Sequence, residues 1–143
     1  MRTITLIVIH CSAVRPDQTS SAAQIDSRHR KRGFKLGIGY HYVIRRNGEI
    51  ELGRPEWMVG AHCVNHNSHS IGVCYEGGHD IRGQPADTRT AAQKASLRRL
   101  LEDLHQRYPH ALIVGHHDLD PHRNCPCIPN VAAEYVDLQP SNR

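Results

Sequence analysis

The chain opens on an apolar, β-branched run from Ile4 to Ile9 that ends at the polar His10-Cys11-Ser12. An unbroken run of that length predicts a buried strand over residues 4–10. After a polar loop, Ser21-Ala22-Ala23-Gln24 has the spacing of a capping box and predicts a helix to about Arg32, stopped by Gly33. Tyr40 to Arg46 and Glu49 to Gly53 flank Asn47-Gly48, which predicts a hairpin. Ser70 to Tyr75 predicts another strand, left through Gly77-Gly78. Thr90-Ala91-Ala92-Gln93 repeats the capping pattern, and Leu97, Leu100, Leu101, Leu104 and Tyr108 then share one face of a helix that ends before Pro109. Residues 112–115 predict a last core strand and Val131 to Val136 a short helix, with a frayed tail over 139–143. The order β-α-β-β-β-α-β-α predicts an α/β fold, a single domain over 1–138 with a mixed central sheet flanked by helices.

Composition narrows the class without changing that picture. A chain of 143 residues, 38% hydrophobic and 22% charged, suits one soluble globular domain with a single core. With one Trp, five Tyr and one Phe, that core must rest on Ile, Leu, Val and Ala. The formal charge of +4 leans towards anionic partners, an acidic cell-wall polymer or nucleic acid. The apolar start is too short and too β-branched for a secretory signal or a membrane anchor, so the expectation is a protein made in the cytoplasm with no membrane partner. Nothing suggests a large apolar face, and a monomer is expected. The basic residues Arg28, Arg30, Lys31 and Arg32 suit a solvated helix face whose charge complements the helix dipole. Five cysteines, an odd number without a disulfide rhythm, and twelve histidines point to metal rather than redox chemistry.

The candidate chemistry sits in Val114 to Cys127, which holds His116, His117, His122, Cys125, Cys127, Asp118 and Asp120. Imidazole, thiolate and carboxylate are the donors that suit zinc. If the first and last core strands end side by side, His10, one of His116 and His117, and Cys125 make a site with three protein ligands. Three ligands leave a fourth position open, the arrangement of a catalytic zinc. Cys127 competes with Cys125, while Asp118 and Asp120 suit turns. Cys11, Cys63 and Cys74 read as buried fillers, and Tyr42 and Trp57 as core or groove wall. A metal-dependent nuclease is the remote alternative, because its compact metal site does not match donors a hundred residues apart; no nucleic-acid partner is expected.

In this order and spacing, Ile9-His10-Cys11-Ser12, Gly39-Tyr40-His41-Tyr42, Gly60-Ala61-His62, Asn67 with Ser70-Ile71-Gly72-Val73-Cys74, and Gly115-His116 with Cys125-Pro126 resemble a known family. It is that of the zinc-dependent N-acetylmuramoyl-L-alanine amidases of bacteriophage-lysozyme and peptidoglycan-recognition-protein type. The resemblance implies a mixed sheet with one Zn2+ per chain in a surface groove. It also implies cleavage of the amide between N-acetylmuramic acid and L-alanine, as in an endolysin acting on the cell wall after release or an enzyme of cytoplasmic muropeptides. By position it implies His10, His116 and Cys125 as metal ligands, Tyr40 beside the reacting water, and His62 in contact with substrate. Asn67 and Glu76 are further candidates for hydrogen bonds to sugar or peptide. Catalytic members usually carry lysine two residues before the cysteine ligand; here Arg123 stands there, in a loop one residue longer than the family pattern, so Arg123 or His122 would face the oxyanion. Beyond Cys125-Pro126, Cys127-Ile128-Pro129-Asn130 also departs from the family. A non-hydrolysing peptidoglycan-binding module on the same fold is the alternative that the Arg123 departure keeps open.

Overall fold

The computed structural model describes residues 2–140. Its centre is a five-stranded sheet ordered β3-β2-β4-β1-β5, built from β1 (Leu6–Cys11), β2 (Tyr42–Ile44), β3 (Ile50–Leu52), β4 (Ser70–Tyr75) and β5 (Leu112–Gly115). Strands β2, β4, β1 and β5 run parallel, and β3 pairs antiparallel with β2. The sheet is mixed, as the element order implied. β1 and β4 lie in the middle and are buried along their whole length, so apart from His10 and Ser70 their sequences carry no alternating polar residues.

Helices cover both faces. α2 (Ala91–Arg107) lays Leu97, Leu100, Leu101 and Leu104 against Ile7, Ile9, Ile71 and Val73, and the short α4 (Val131–Glu134) adds Val131 to the same cluster. On the other face α1 (Ala22–Lys31) packs Ile25 against Val43 and Cys74. Both capping boxes form as their spacing predicts, with Ser21 answered by Gln24 and Thr90 by Gln93. Gln93 goes further: its buried amide also donates to the carbonyls of Ile44, at 3.1 Å, and Glu76, at 2.9 Å. The cap thus ties α2 to the sheet. Behind α4, the buried guanidinium of Arg89 pairs with Asp87 at 2.9 Å and Glu134 at 2.7 Å.

Three local features depart from the sequence expectations. The hairpin strands are shorter than the apolar pattern suggested. Their loop has three residues, with Arg45 N–H donating to Glu49 C=O and Gly48 N–H to Arg45 C=O. Gly48 takes the left-handed conformation there (φ 89°), closing a turn that a two-residue loop would close differently. After β5 the chain enters a short helix at once, α3 (His116–Leu119), where an open loop was expected. The carboxylate of Asp118 holds its start by accepting from Gly115 N–H at 2.8 Å. Finally, Gln139 is anchored rather than frayed: its amide bonds both the N–H and the C=O of Ile113, at 2.9 and 2.8 Å, and so occupies the outer edge of β5. Residues 141–143 of the expected tail lie outside the described residues.

Candidate metal centre

Parallel register puts the candidate donors side by side. Ile9 pairs with Gly115 across β1 and β5, so the next residue of each chain, His10 and His116, leaves the carboxyl edge of the sheet at the same level. Ligand sites of parallel sheets gather at that edge. The two imidazoles lie 4.6 Å apart between ring centroids. The loop after α3 returns Cys125 to them, and its sulfur accepts a hydrogen bond from Cys11 N–H at 3.0 Å. One donor atom from each of His10, His116 and Cys125 lies within 4.8 Å of the others, the one such group among the described residues.

The geometry separates the alternatives left open by sequence. Strand alternation would have turned His116 and His117 to opposite faces, but both belong to α3. The His116 ring meets His10, while His117 lies 3.7 Å from Asp118. Cys127 sits apart from the imidazoles, with its sulfur 3.9 Å from that of Cys11. Arg123 borders the groove beside the three donors and His122 does not. The Arg123 guanidinium is exposed and pairs with Asp120 at 3.4 Å, and its charge adds to the burial that lowers the pKa of His116.

Buried His10 is held below. Its Nε2 is 2.8 Å from Nδ1 of His62, whose Nε2 is 3.0 Å from the hydroxyl of Ser70. Burial, with His62 and His116 nearby, holds the pKa of His10 well below the usual imidazole value. Burial likewise brings His62 to about 3. Both rings are therefore neutral at physiological pH. Tyr40 packs its ring 5.0 Å from His10, and burial raises its phenol well above the ordinary value. It stays a donor.

Three of the predicted substrate contacts are committed to the fold in ways sequence did not disclose. Glu76 is corrected outright: it is 2% exposed and away from the groove. It accepts from Ser20 N–H at 2.7 Å, Arg46 N–H at 2.9 Å and Arg45 Nε at 3.1 Å. The fold thus engages three of its roughly four lone-pair sites, and burial keeps the carboxylate from the groove. Asn67 borders the groove, but its amide oxygen already accepts from the N–H groups of His62 and Cys63, at 2.8 and 2.9 Å. His62 lies beneath His10, nearly covered. Trp57 is neither core nor wall of this groove; it is 69% exposed, beside Tyr42 and Glu56 in a separate depression.

His29 was missed. The ring is buried on α1, its Nδ1 accepting from Gly39 N–H at 2.9 Å, which fixes the backbone just before Tyr40. Burial, helped by Arg32 and Arg28, lowers its pKa to about 4. The basic face of α1 was expected simply to be solvated, yet Arg28 and Arg32 border the groove, whose volume is about 740 Å³. The i, i+4 spacing of the two arginines was the available signal.

A family model described as N-acetylmuramoyl-L-alanine amidase matches residues 1–128. The chain belongs to that family. This amidase is 42% identical over 120 residues to the endolysin of Escherichia phage T7, covering 84% of this chain and 78% of the phage protein. It superposes on the N-acetylmuramoyl-L-alanine amidase LysC from Clostridium intestinale with a TM-score of 0.79 at 31% identity, over 95% of this chain and 84% of that one. Drosophila PGRP-LB shares the fold, with a TM-score of 0.76 at 21% identity over 95% and 81% of the respective chains. The amidase is thus a hydrolase of the bond between N-acetylmuramic acid and L-alanine in peptidoglycan. Among its described residues, no helix is long and apolar enough to cross a membrane.

Proposed function

We propose that this amidase holds one zinc ion on His10, His116 and Cys125 and works as a monomeric, endolysin-like enzyme of cell-wall lysis. The observation that carries the reading is the three-donor group at the carboxyl ends of β1 and β5, open to a basic groove. The donor chemistry fits zinc: two imidazoles kept neutral by their surroundings and one cysteine sulfur, with a fourth position left for the reaction. When bound, zinc supplies a Lewis acid for the scissile carbonyl and acidifies the attacking water to a pKa of about 7.

The remaining work falls to side chains of this chain. Tyr40, still protonated, donates a hydrogen bond to the attacking water or to the developing oxyanion. Arg123 brings a fixed positive charge to that oxyanion from the groove rim. Arg28 and Arg32, for which the described residues supply no carboxylate partner, complement an acidic cell-wall strand lying in the groove. His62 holds the ring of His10 in one tautomer.

Digestion of purified peptidoglycan with mass analysis of the products tests the proposal. Stem peptides with a free L-alanine amino terminus should appear, vanish with chelator and return with zinc. No release, with zinc bound at one per chain, would leave a peptidoglycan-binding role instead.

A further inference from the structure

Strand alternation divides the chemistry at the end of β1 between two faces of the sheet. His10 points to the face of α1 and the groove. Cys11 points to the other and joins the core beneath α2, 5% exposed. There the Cys11 sulfur lies 3.9 Å from that of Cys127. Cys127 is less buried than Cys11 and takes a left-handed backbone (φ 65°), unusual for a residue with a side chain. Cys125 also neighbours Cys11, but its place is with the metal donors. Its sulfur faces the two imidazoles and accepts from the Cys11 N–H.

We propose that Cys11 and Cys127 form an intramolecular disulfide when the enzyme meets a low-molecular-weight disulfide such as oxidised glutathione, leaving Cys125 reduced. Cys127, the more accessible, attacks one sulfur of the oxidant and expels the first glutathione thiolate. Cys11 then attacks the Cys127 sulfur of the mixed disulfide and expels the second. Two protein thiols become one protein disulfide, one oxidised glutathione becomes two reduced molecules, and the two thiol protons pass to the departing thiolates. The sulfurs must close from 3.9 Å to bonding distance, about 2.05 Å. The bond would tie the first strand to the loop that carries Cys125, closing nearly the whole domain into one loop. That is the placement in which a cross-link most restricts the unfolded chain. The pairing stands apart from the metal reading; only the sparing of Cys125 rests on it.

The test is peptide mapping of the full, zinc-loaded chain after incubation with oxidised glutathione, alkylation and digestion without reductant. One bond, Cys11 to Cys127, is expected, with Cys63, Cys74 and Cys125 alkylated after denaturation, zinc retained, and Tm raised by roughly 10 °C. The Cys127→Ser variant should lose the bond and the Tm rise while keeping zinc and hydrolysis. A bond to Cys125, glutathione left on Cys127 without closure, or no loss of thiols would each overturn the pairing. Loss of zinc from a correctly bonded chain would overturn only the expectation that the bond leaves the metal site intact. Mapping the unsubstituted chain keeps the test valid should a variant fail to fold.

Discussion

His62 bears on the metal through one ring only. If His10 offers Nδ1 to a cation, its Nε2 must keep the proton and donate to Nδ1 of His62, at 2.8 Å. His62 then carries its own proton on Nε2 and donates to Ser70, at 3.0 Å. A cation on His10 would thus set the tautomers of both rings, and the Ser70 hydroxyl, able to accept, completes the chain. Removing such a partner typically weakens metal affinity by about 10- to 100-fold. His62→Ala should show that loss in zinc competition against a chromophoric chelator; unchanged affinity would leave His62 a packing residue. Tyr40→Phe and Arg123→Ala should instead keep zinc and each lose on the order of a hundredfold in kcat on muropeptide substrates. Arg123→Lys, which keeps charge but not the planar fork, should recover part of that loss. A cluster of metal donors was legible in the sequence, but the residues alone left His117 and Cys127 open, and His116 and Cys125 were preferred on the family resemblance. The role of Glu76 was not legible, since whether a carboxylate serves substrate or backbone depends on three N–H groups brought to it from Ser20, Arg45 and Arg46.

At the scale of elements, the site depends on how closely segments approach one another. The loop after Gly60 can tuck the His62 ring against β4 only because Gly72 has no side chain. A Cβ at Gly72 would come 2.6 to 2.9 Å from three atoms of that ring. Gly72→Ala should therefore displace His62 from between His10 and Ser70 and reproduce the zinc-affinity loss of His62→Ala, with a modest loss of stability. An affinity equal to the parent's would show that the ring relaxes in place. Periodicity and capping residues revealed the strands and the two long helices, because those signals are local. Pairing register is not local. That β5 lies beside β1 and brings His116 level with His10 became visible only in three dimensions, and so did the helical start at His116.

Across the whole molecule, buried neutral histidines tie stability to pH. Burial lowers His29 to about 4 and His62 to about 3, and lowers His10 and His41 as well. In the unfolded chain each takes up a proton near pH 6.5, whereas the folded protein takes it up only at lower pH. Between those values the unfolded state binds more protons, so stability must rise with pH through that window and level off above about 6.5. Glu76 and Glu56 act in the same sense below it, because their neighbours hold both carboxyls below the ordinary value, and acid removes that advantage. The Tm of the chelator-treated protein should therefore climb from pH 4 to pH 6.5 and change little from 6.5 to 8. His29 is the position at which to separate this from metal binding, since its ring serves Gly39 and no metal donor. Its share, discounted because the ring borders a groove open to solvent, is on the order of 1–2 kcal/mol. His29→Gln, which can still accept from Gly39 N–H but cannot titrate, should flatten the climb and raise Tm at pH 4.5 relative to the parent. A variant whose Tm keeps the full slope would show that His29 protonates as readily in the fold as in the free chain.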